Sequence, residues 1–365
     1  MTDTNPLYTS LSVSDADESQ VVITGEIPVE AALTYKRQAL KSLGANASVD
    51  GFRPGKMPEE MIEKRMGEER VWNEIASFAV SDAYPKIVVE KSLKPVGRPQ
   101  ITLTKLVPGN PIGFSMTVGI MPEITLPDYS AVSKKAIASV TETEEVTDAD
   151  IDEALLSIRK NHAHAKWHQD NPDTHGHDHD IPETDLPEMN DDFAKTIGDF
   201  ATVADLKIAL KTQVASEKKY KLKEKRRVSI ADALVGKTPF AVPPIFIESE
   251  LGKMTAEFEG NVRRMGIDPM EYLAKVEKTV DQLHAEWRPE AKKRAQLQII
   301  INAIAEKEKV EIDQKQFDRE VAHIMEHYSD AKLENVKAYV ETMLTNNRVF
   351  EILEGEEKAV VADAK

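Results

Sequence analysis

Several groups of side chains have types and spacings that could do chemistry. His162, His164 and His168 are followed by His175, His177 and His179 among Asp173, Asp178 and Asp180, a set of imidazoles and carboxylates able to ligate Zn²⁺ or Ni²⁺. His164 and His168 are four residues apart and would share one face of a helix. Alternating His in an acidic tract is more simply a solvated linker, so no metal site is assigned to it. His323-Ile324-Met325-Glu326-His327 matches the inverted zincin pattern, with Glu326 as the would-be base. Such a site needs a third ligand and a cleft, and the pattern reads instead as a polar helix face opposite Val321, Ile324 and Met325. Residues 218–227 hold seven basic side chains and one acidic, which suits nucleic acid but equally a solvated, domain-bridging helix, the reading adopted here. No Cys is present, which removes thiol nucleophiles and thiolate-ligated metals. No Gly-x-x-x-x-Gly-Lys phosphate loop occurs either, so ATP is not implicated.

The segment Gly51-Phe52-Arg53-Pro54-Gly55-Lys56-Met57-Pro58 has a different character. Its two Gly allow positive φ and its prolines fix φ, giving a bent but stiff loop. A tip bearing Phe52, Arg53 and Lys56 offers one apolar ring and two cations suited to phosphate oxygens. Stiffness lowers the ordering cost of binding. One reading is a preorganised contact for a ribonucleoprotein surface. The other is an ordinary turn whose Phe folds into the core.

The elements around this loop form an α+β pattern. Residues 7–13 and 21–27 read as a hairpin, and Pro28 opens a helical stretch through Leu33, Leu40 and Leu43 with Gly44 as its stop. Residues 59–66 read as a short helix. Residues 71–93 read as a longer one with Trp72, Ile75, Phe78, Ala79 and Ile87 on its apolar face, and Pro85 is expected to bend or break it. Two strands follow, 100–106 and 112–121. Residues 122–146, rich in Thr, Ser and Glu, read as an extended connector. Thr147 with Asp150 forms a capping box opening a helix with face Ile151, Leu155 and Ile158. Residues 169–188 are an acidic, His-rich linker, and the remainder is helical. The fold class is thus an α+β N-terminal domain, 1–121, followed by an elongated all-α domain, 147–365.

The net charge is −16 over 365 residues, with only 6% aromatic residues, a surface-rich composition fitting elongated helices better than a large enzyme core. The acidity is local: residues 111–190 carry −11, and residues 1–110 only −2. An anionic partner such as RNA must therefore be met by a local basic feature. The first twenty residues lack the apolar stretch of a signal peptide, and no run approaches membrane-span length, so a cytoplasmic location is expected.

The loop pattern Gly-Phe-Arg-x-Gly-Lys-x-Pro resembles the signature of trigger factors, matched here by Gly51, Phe52, Arg53, Gly55, Lys56 and Pro58. The resemblance continues at residues 122–126, 146–151, 185–193 and 242–250, and thus over nearly the whole chain. It implies an ATP-independent chaperone, a holdase that shields apolar nascent segments. Its partners would be the ribosome (protein and rRNA at the tunnel exit) and unfolded nascent polypeptides, with a weak homodimer off the ribosome. Ribosome binding would fall to Gly51, Phe52, Arg53, Gly55 and Lys56, with Pro54 standing where some members carry a third cation. Client-facing candidates are Met254, Phe258, Met265 and Met270, since flexible Met suits promiscuous surfaces; core packing is the alternative for each. The family's FKBP-like isomerase domain would sit where this chain has fewer than twenty residues, so it is expected to be missing, with no enzymatic activity, no cofactor and no membrane contact. A ribosome-independent chaperone or assembly factor, and a metal-binding protein using the His-rich linker, are the competing functions.

Overall fold

The structure is a computed structural model describing residues 6–16, 19–45, 58–170, 182, 186–328 and 330–355. Strands β1 (Thr9–Ala16) and β2 (Gln20–Ile27) form the expected antiparallel hairpin. Helices α1 (Val29–Leu33), α2 (Lys36–Ala45), α3 (Glu59–Met66) and α4 (Glu68–Glu90) follow, and then β3 (Pro95–Lys105) and β4 (Ile112–Ile120). The sheet order is β1-β2-β4-β3, antiparallel throughout. Register pairs Val21 with Val118, Ile23 with Met116 and Ile27 with Ile112, which places all six on one buried face. Alternation at period two thus builds one wall of the core. Trp72, Ile75, Ala79, Ala83 and Ile87 of α4 belong to the same apolar cluster.

Two local expectations change. Gly44 does not stop its helix: α2 runs through it to Ala45, and a Cβ there would lie 2.5 Å from Ile62 Cδ1 of α3. The glycine lets α3 approach α2. Pro85 does not break α4, which continues to Glu90. Pro85 and Ser81, whose carbonyl loses its helical donor, are both on the exposed face, so the missing bond does not leave a buried polar group.

Beyond β4 come α5 (Tyr129–Ala138), α6 (Asp148–Asp170), α7 (Asp191–Ile197), α8 (Val203–Lys237), α9 (Pro244–Arg264), α10 (Pro269–Lys275), α11 (Val280–Glu308), α12 (Gln314–His327) and α13 (Leu333–Glu354). The connector 122–146 is therefore not extended throughout, because α5 lies within it. Asp128 caps α5 by accepting from the Ala131 N–H at 3.0 Å. Its buried residues are small, Ser133 and Ala136, and Ser229 of α8 donates to the Ala136 carbonyl at 3.1 Å. Close packing through small side chains left no large apolar stripe to read. The capping box of α6 forms as expected, Thr147 N to Asp150 Oδ2 at 2.7 Å and Asp150 N to Thr147 Oγ1 at 3.3 Å.

Contacts divide the chain into two compact units, each made of two segments: Met1–Leu126 with Thr238–Ala303, and Pro127–Lys237 with Ile304–Lys365. In the first, the start of α9 packs on the sheet: Ser19 Oγ donates to the Ala241 carbonyl at 2.6 Å, and Ile245 lies over Gly97. Gly97 has φ +74°, and a Cβ there would meet Ile245 Cγ1 at 3.1 Å, so glycine serves both the register irregularity in β3 and the contact. In the second, Ile151 and Leu155 of α6 pack with Leu206 and Leu210 of α8, while Val321 of α12 packs with Val336, Val340 and Leu344 of α13.

Candidate functional site

The loop residues Gly51, Phe52, Arg53, Gly55 and Lys56 lie outside the described residues. Their two stems are described. Ala45 ends α2 on one side, and Pro58 is the N-cap of α3 on the other. Ile62 is buried in the gap Gly44 provides. Lys36 pairs with Glu63 at 2.7 Å, and Arg37 with Glu59 at 3.5 Å. Just before α2, the Tyr35 hydroxyl donates to Asp82 of α4 at 2.5 Å, and Lys86 reaches the same carboxylate at 2.9 Å. Burial and the Asp82 carboxylate push the Tyr35 phenol up to about 12. Asp82 is held below the ordinary carboxylate range by the Tyr35 and Lys86 hydrogen bonds. The loop thus springs from two helices clamped to each other, one of them also tied to α4.

The four client-facing candidates fall into two pairs. Met254 packs against the apolar cluster of Val242, Ile247, Leu251, Ala291, Ala295 and Ile299. Phe258 meets Tyr272 and Trp287 edge-on, at ring separations of 5.7 and 5.8 Å. Met265 and Met270, in contrast, are each 67% exposed. Phe258 and Met270 share an apolar cleft with Leu273, Leu283 and Trp287. Sequence reasoning missed these last three. Leu283 and Trp287, at i and i+4 on α11, were the available signal.

The histidines divide similarly. His164 and His168 share one face of α6, their rings 4.5 Å apart, and His162 packs edge-on against Phe193 at 5.3 Å. His175, His177 and His179 lie outside the described residues. His323 and His327 meet edge-on, 4.8 Å apart, on α12. Among the described residues, no group of three or more His, Cys, Asp or Glu is placed to hold a metal ion.

The basic stretch 218–227 lies mid-way along α8 and is largely committed to internal ion pairs. Lys218 meets Asp150 at 2.5 Å, Lys223 meets Glu354 at 3.5 Å and Arg226 meets Glu144 at 3.5 Å. Lys225 bonds Glu142, and Arg227 Nε bonds Glu354 at 3.1 Å. The hydrogen bond from Lys218, reinforced by Thr147, holds the Asp150 carboxyl down at about 2. Glu142 is likewise lowered by Lys225. This stretch ties neighbouring elements to α8.

Two family models match the chain: Bacterial trigger factor protein (TF) over residues 9–158, and Bacterial trigger factor protein (TF) C-terminus over residues 202–362. The chain belongs to the trigger factor family of chaperones. It is 23% identical to the trigger factor of Moorella thermoacetica over 386 residues, covering 85% of each chain. It is 22% identical to that of Clostridium botulinum over 413 residues, covering 91% of this chain and 96% of the relative. A solved structure of the trigger factor chaperone, described for promiscuous substrate recognition in folding and assembly, shares the fold. Its TM-score is 0.52 at 15% identity, covering 95% of this chain and all of that one. Between the two matched regions lie residues 159–201, partly occupied by the end of α6 and by α7. The peptidyl-prolyl isomerase domain is absent from this layout. Among the described residues, no helix is long and apolar enough to cross a membrane.

Proposed function

We propose that the chain is an ATP-independent, ribosome-associated holdase of the cytoplasm. It docks near the tunnel exit through Gly51, Phe52, Arg53, Gly55 and Lys56 and shields apolar nascent segments. The functional division is read along the chain and cuts across the compact units: a docking domain at 1–121, a connector at 122–146, and a client-binding helical domain at 147–365, of which residues 238–303 belong to the docking domain's unit. The observation that carries the reading is the loop's setting. A segment with the family's Gly-Phe-Arg-x-Gly-Lys-x-Pro pattern lies between two helices, α2 and α3, that are clamped to each other by the Lys36–Glu63 pair and by Ile62 against Gly44. Stems already fixed to each other reduce the ordering that docking must impose.

Client contact is assigned to the exposed Met265 and Met270 and to the cleft that Phe258 and Met270 line. Thioether side chains repack against many sequences, as a non-specific holdase requires. With no isomerase domain in the layout, prolyl isomerisation is not among its activities. Cosedimentation with ribosomes tests the docking. The triple variant Phe52→Ala/Arg53→Ala/Lys56→Ala is expected to stay in the supernatant while the parent pellets; equal pelleting ends the assignment. A prolyl isomerase assay on the parent should give only the uncatalysed rate.

A further inference from the structure

A groove runs between α2 and α3, beside the ends of the two helices that flank the loop. It is lined by Thr34, Arg37, Gln38, Lys41 and Gly44 on one side and by Glu59 and Ile62 on the other. Arg37, Lys41 and Gly44 recur at i, i+4 and i+7 with Gln38 beside them, so they form one stripe along α2 close to its last residue, Ala45. At 1.5 Å per residue that stripe is about 10 Å long.

Its charge runs against the trend of the molecule. Helix α2 carries Lys36, Arg37 and Lys41 and no acidic residue, in a chain of net charge −16. Lys36 is engaged with Glu63 at 2.7 Å. The Arg37 side chain is 90% exposed, and its pairing with Glu59 at 3.5 Å is a surface contact of little strength. Lys41 and Gln38 are exposed on the same stripe. Two cations one helical turn apart, with an amide donor between them, fit a ligand that repeats its negative charge along a line. A nucleic-acid backbone does so, whereas a single acidic side chain would meet only one of them.

We propose that Arg37, Gln38 and Lys41 form a second ribosome contact, a track for RNA phosphates leading to the loop root. The inference rests on the docking reading and assigns it an RNA component outside the family motif. Glu59 opposes it: this carboxylate neutralises Arg37 and repels phosphate, so it sets the strength of the track.

The test uses the full chain, with intact ribosomes and protein-free ribosomal RNA as separate probes, in a salt series. Each phosphate contact adds a little under one to the slope of log affinity against log salt. Between about 50 and 200 mM salt the parent is therefore expected to lose roughly tenfold more affinity than Arg37→Gln/Lys41→Gln. Glu59→Gln should tighten RNA binding severalfold. Equal slopes for parent and double variant on both probes overturn the proposal. So does a weaker ribosome affinity with unchanged slope, which would mean that the two side chains act through a non-ionic contact. If the parent does not bind ribosomes at all, the docking reading falls, and the slope on protein-free RNA still judges the track. Matching urea midpoints for parent and variants exclude misfolding as the cause.

Discussion

The sheet-and-helix core around β4 and the surroundings of α8 hold together by different means. In the first, Ile23, Ile27, Ile112, Phe114 and Met116 of the sheet face Ile75, Ala79 and Ile87 of α4, all but fully buried. The attraction is removal of apolar area from water, non-directional and indifferent to ionic strength. Around α8 some apolar contact remains through Leu222, Ile230 and Leu234. Much of the rest consists of ion pairs from Lys218, Lys223, Lys225, Arg226 and Arg227 to carboxylates of three neighbouring segments. A helix of 35 residues exposes more length than its apolar positions can cover, and directed charges fill that shortfall. Stability in the first region should follow area, and in the second, salt and pH.

Four perturbations can break or sharpen this contrast. The largest is Phe114→Ala, expected to cost about 3–5 kcal/mol in urea unfolding with no salt dependence. A loss that varies with salt would erase the distinction. Next is Arg227→Ala. Glu354, whose side chain is 8% exposed, would lose its nearest cation, at a cost of about 3 kcal/mol that shrinks in high salt. Equal losses at low and high salt would place that pair with the apolar core. Third, Thr147→Ala removes one arm of the α6 capping box, expected to cost about 1 kcal/mol and visible as a lower urea midpoint.

The smallest effect at neutral pH belongs to Asp150. Its carboxyl sits at about 2 in the folded chain against an ordinary 3.8, so on acidification the unfolded chain takes up the proton first. The resulting stabilisation is present above pH 3.8 and fades as pH falls toward 2. Thermal melts across that window should fall more steeply for the parent than for Asp150→Asn. Identical pH profiles would dissociate Lys218 from any stabilising role.

How much of this was legible in the sequence depended on whether a residue's task left a pattern. The hairpin and the helix at 59–66 were readable from alternation and turn residues, and the Thr147 box from its spacing. Helix α5 was not, because Ser133 and Ala136 pack by smallness, which looks like a connector. Gly44 was read as a stop because a glycine chosen for the approach of Ile62 has the same letter as one chosen to end a helix. The loop signature was legible by its motif alone, whereas the clamping of its flanking helices through Lys36–Glu63 and Gly44 left no sequence pattern. Among the client candidates, Met265 and Met270 differ from Met254 only in what packs on them. The basic stretch on α8 could not be separated from a nucleic-acid surface until Glu142, Glu144, Asp150 and Glu354 were found beside it. The groove cations on α2 left no signal in the sequence, because Arg37 and Lys41 at i and i+4 look like any solvated helix face.

The seating of Ile245 over Gly97, with Ser19 bonded to the Ala241 carbonyl, bears on the order in which the molecule can assemble. Residues up to 121 contain a whole sheet and its covering helices, so this part can collapse as soon as it is made. The segment that completes the same unit begins at Thr238, more than a hundred residues later. At synthesis rates of about 5–20 residues per second, the surface awaiting Pro243 and Ile245 stays uncovered for roughly 6–25 s. During its own synthesis the protein thus carries a collapsed sheet with an open seat for a helix of its own that is not yet translated.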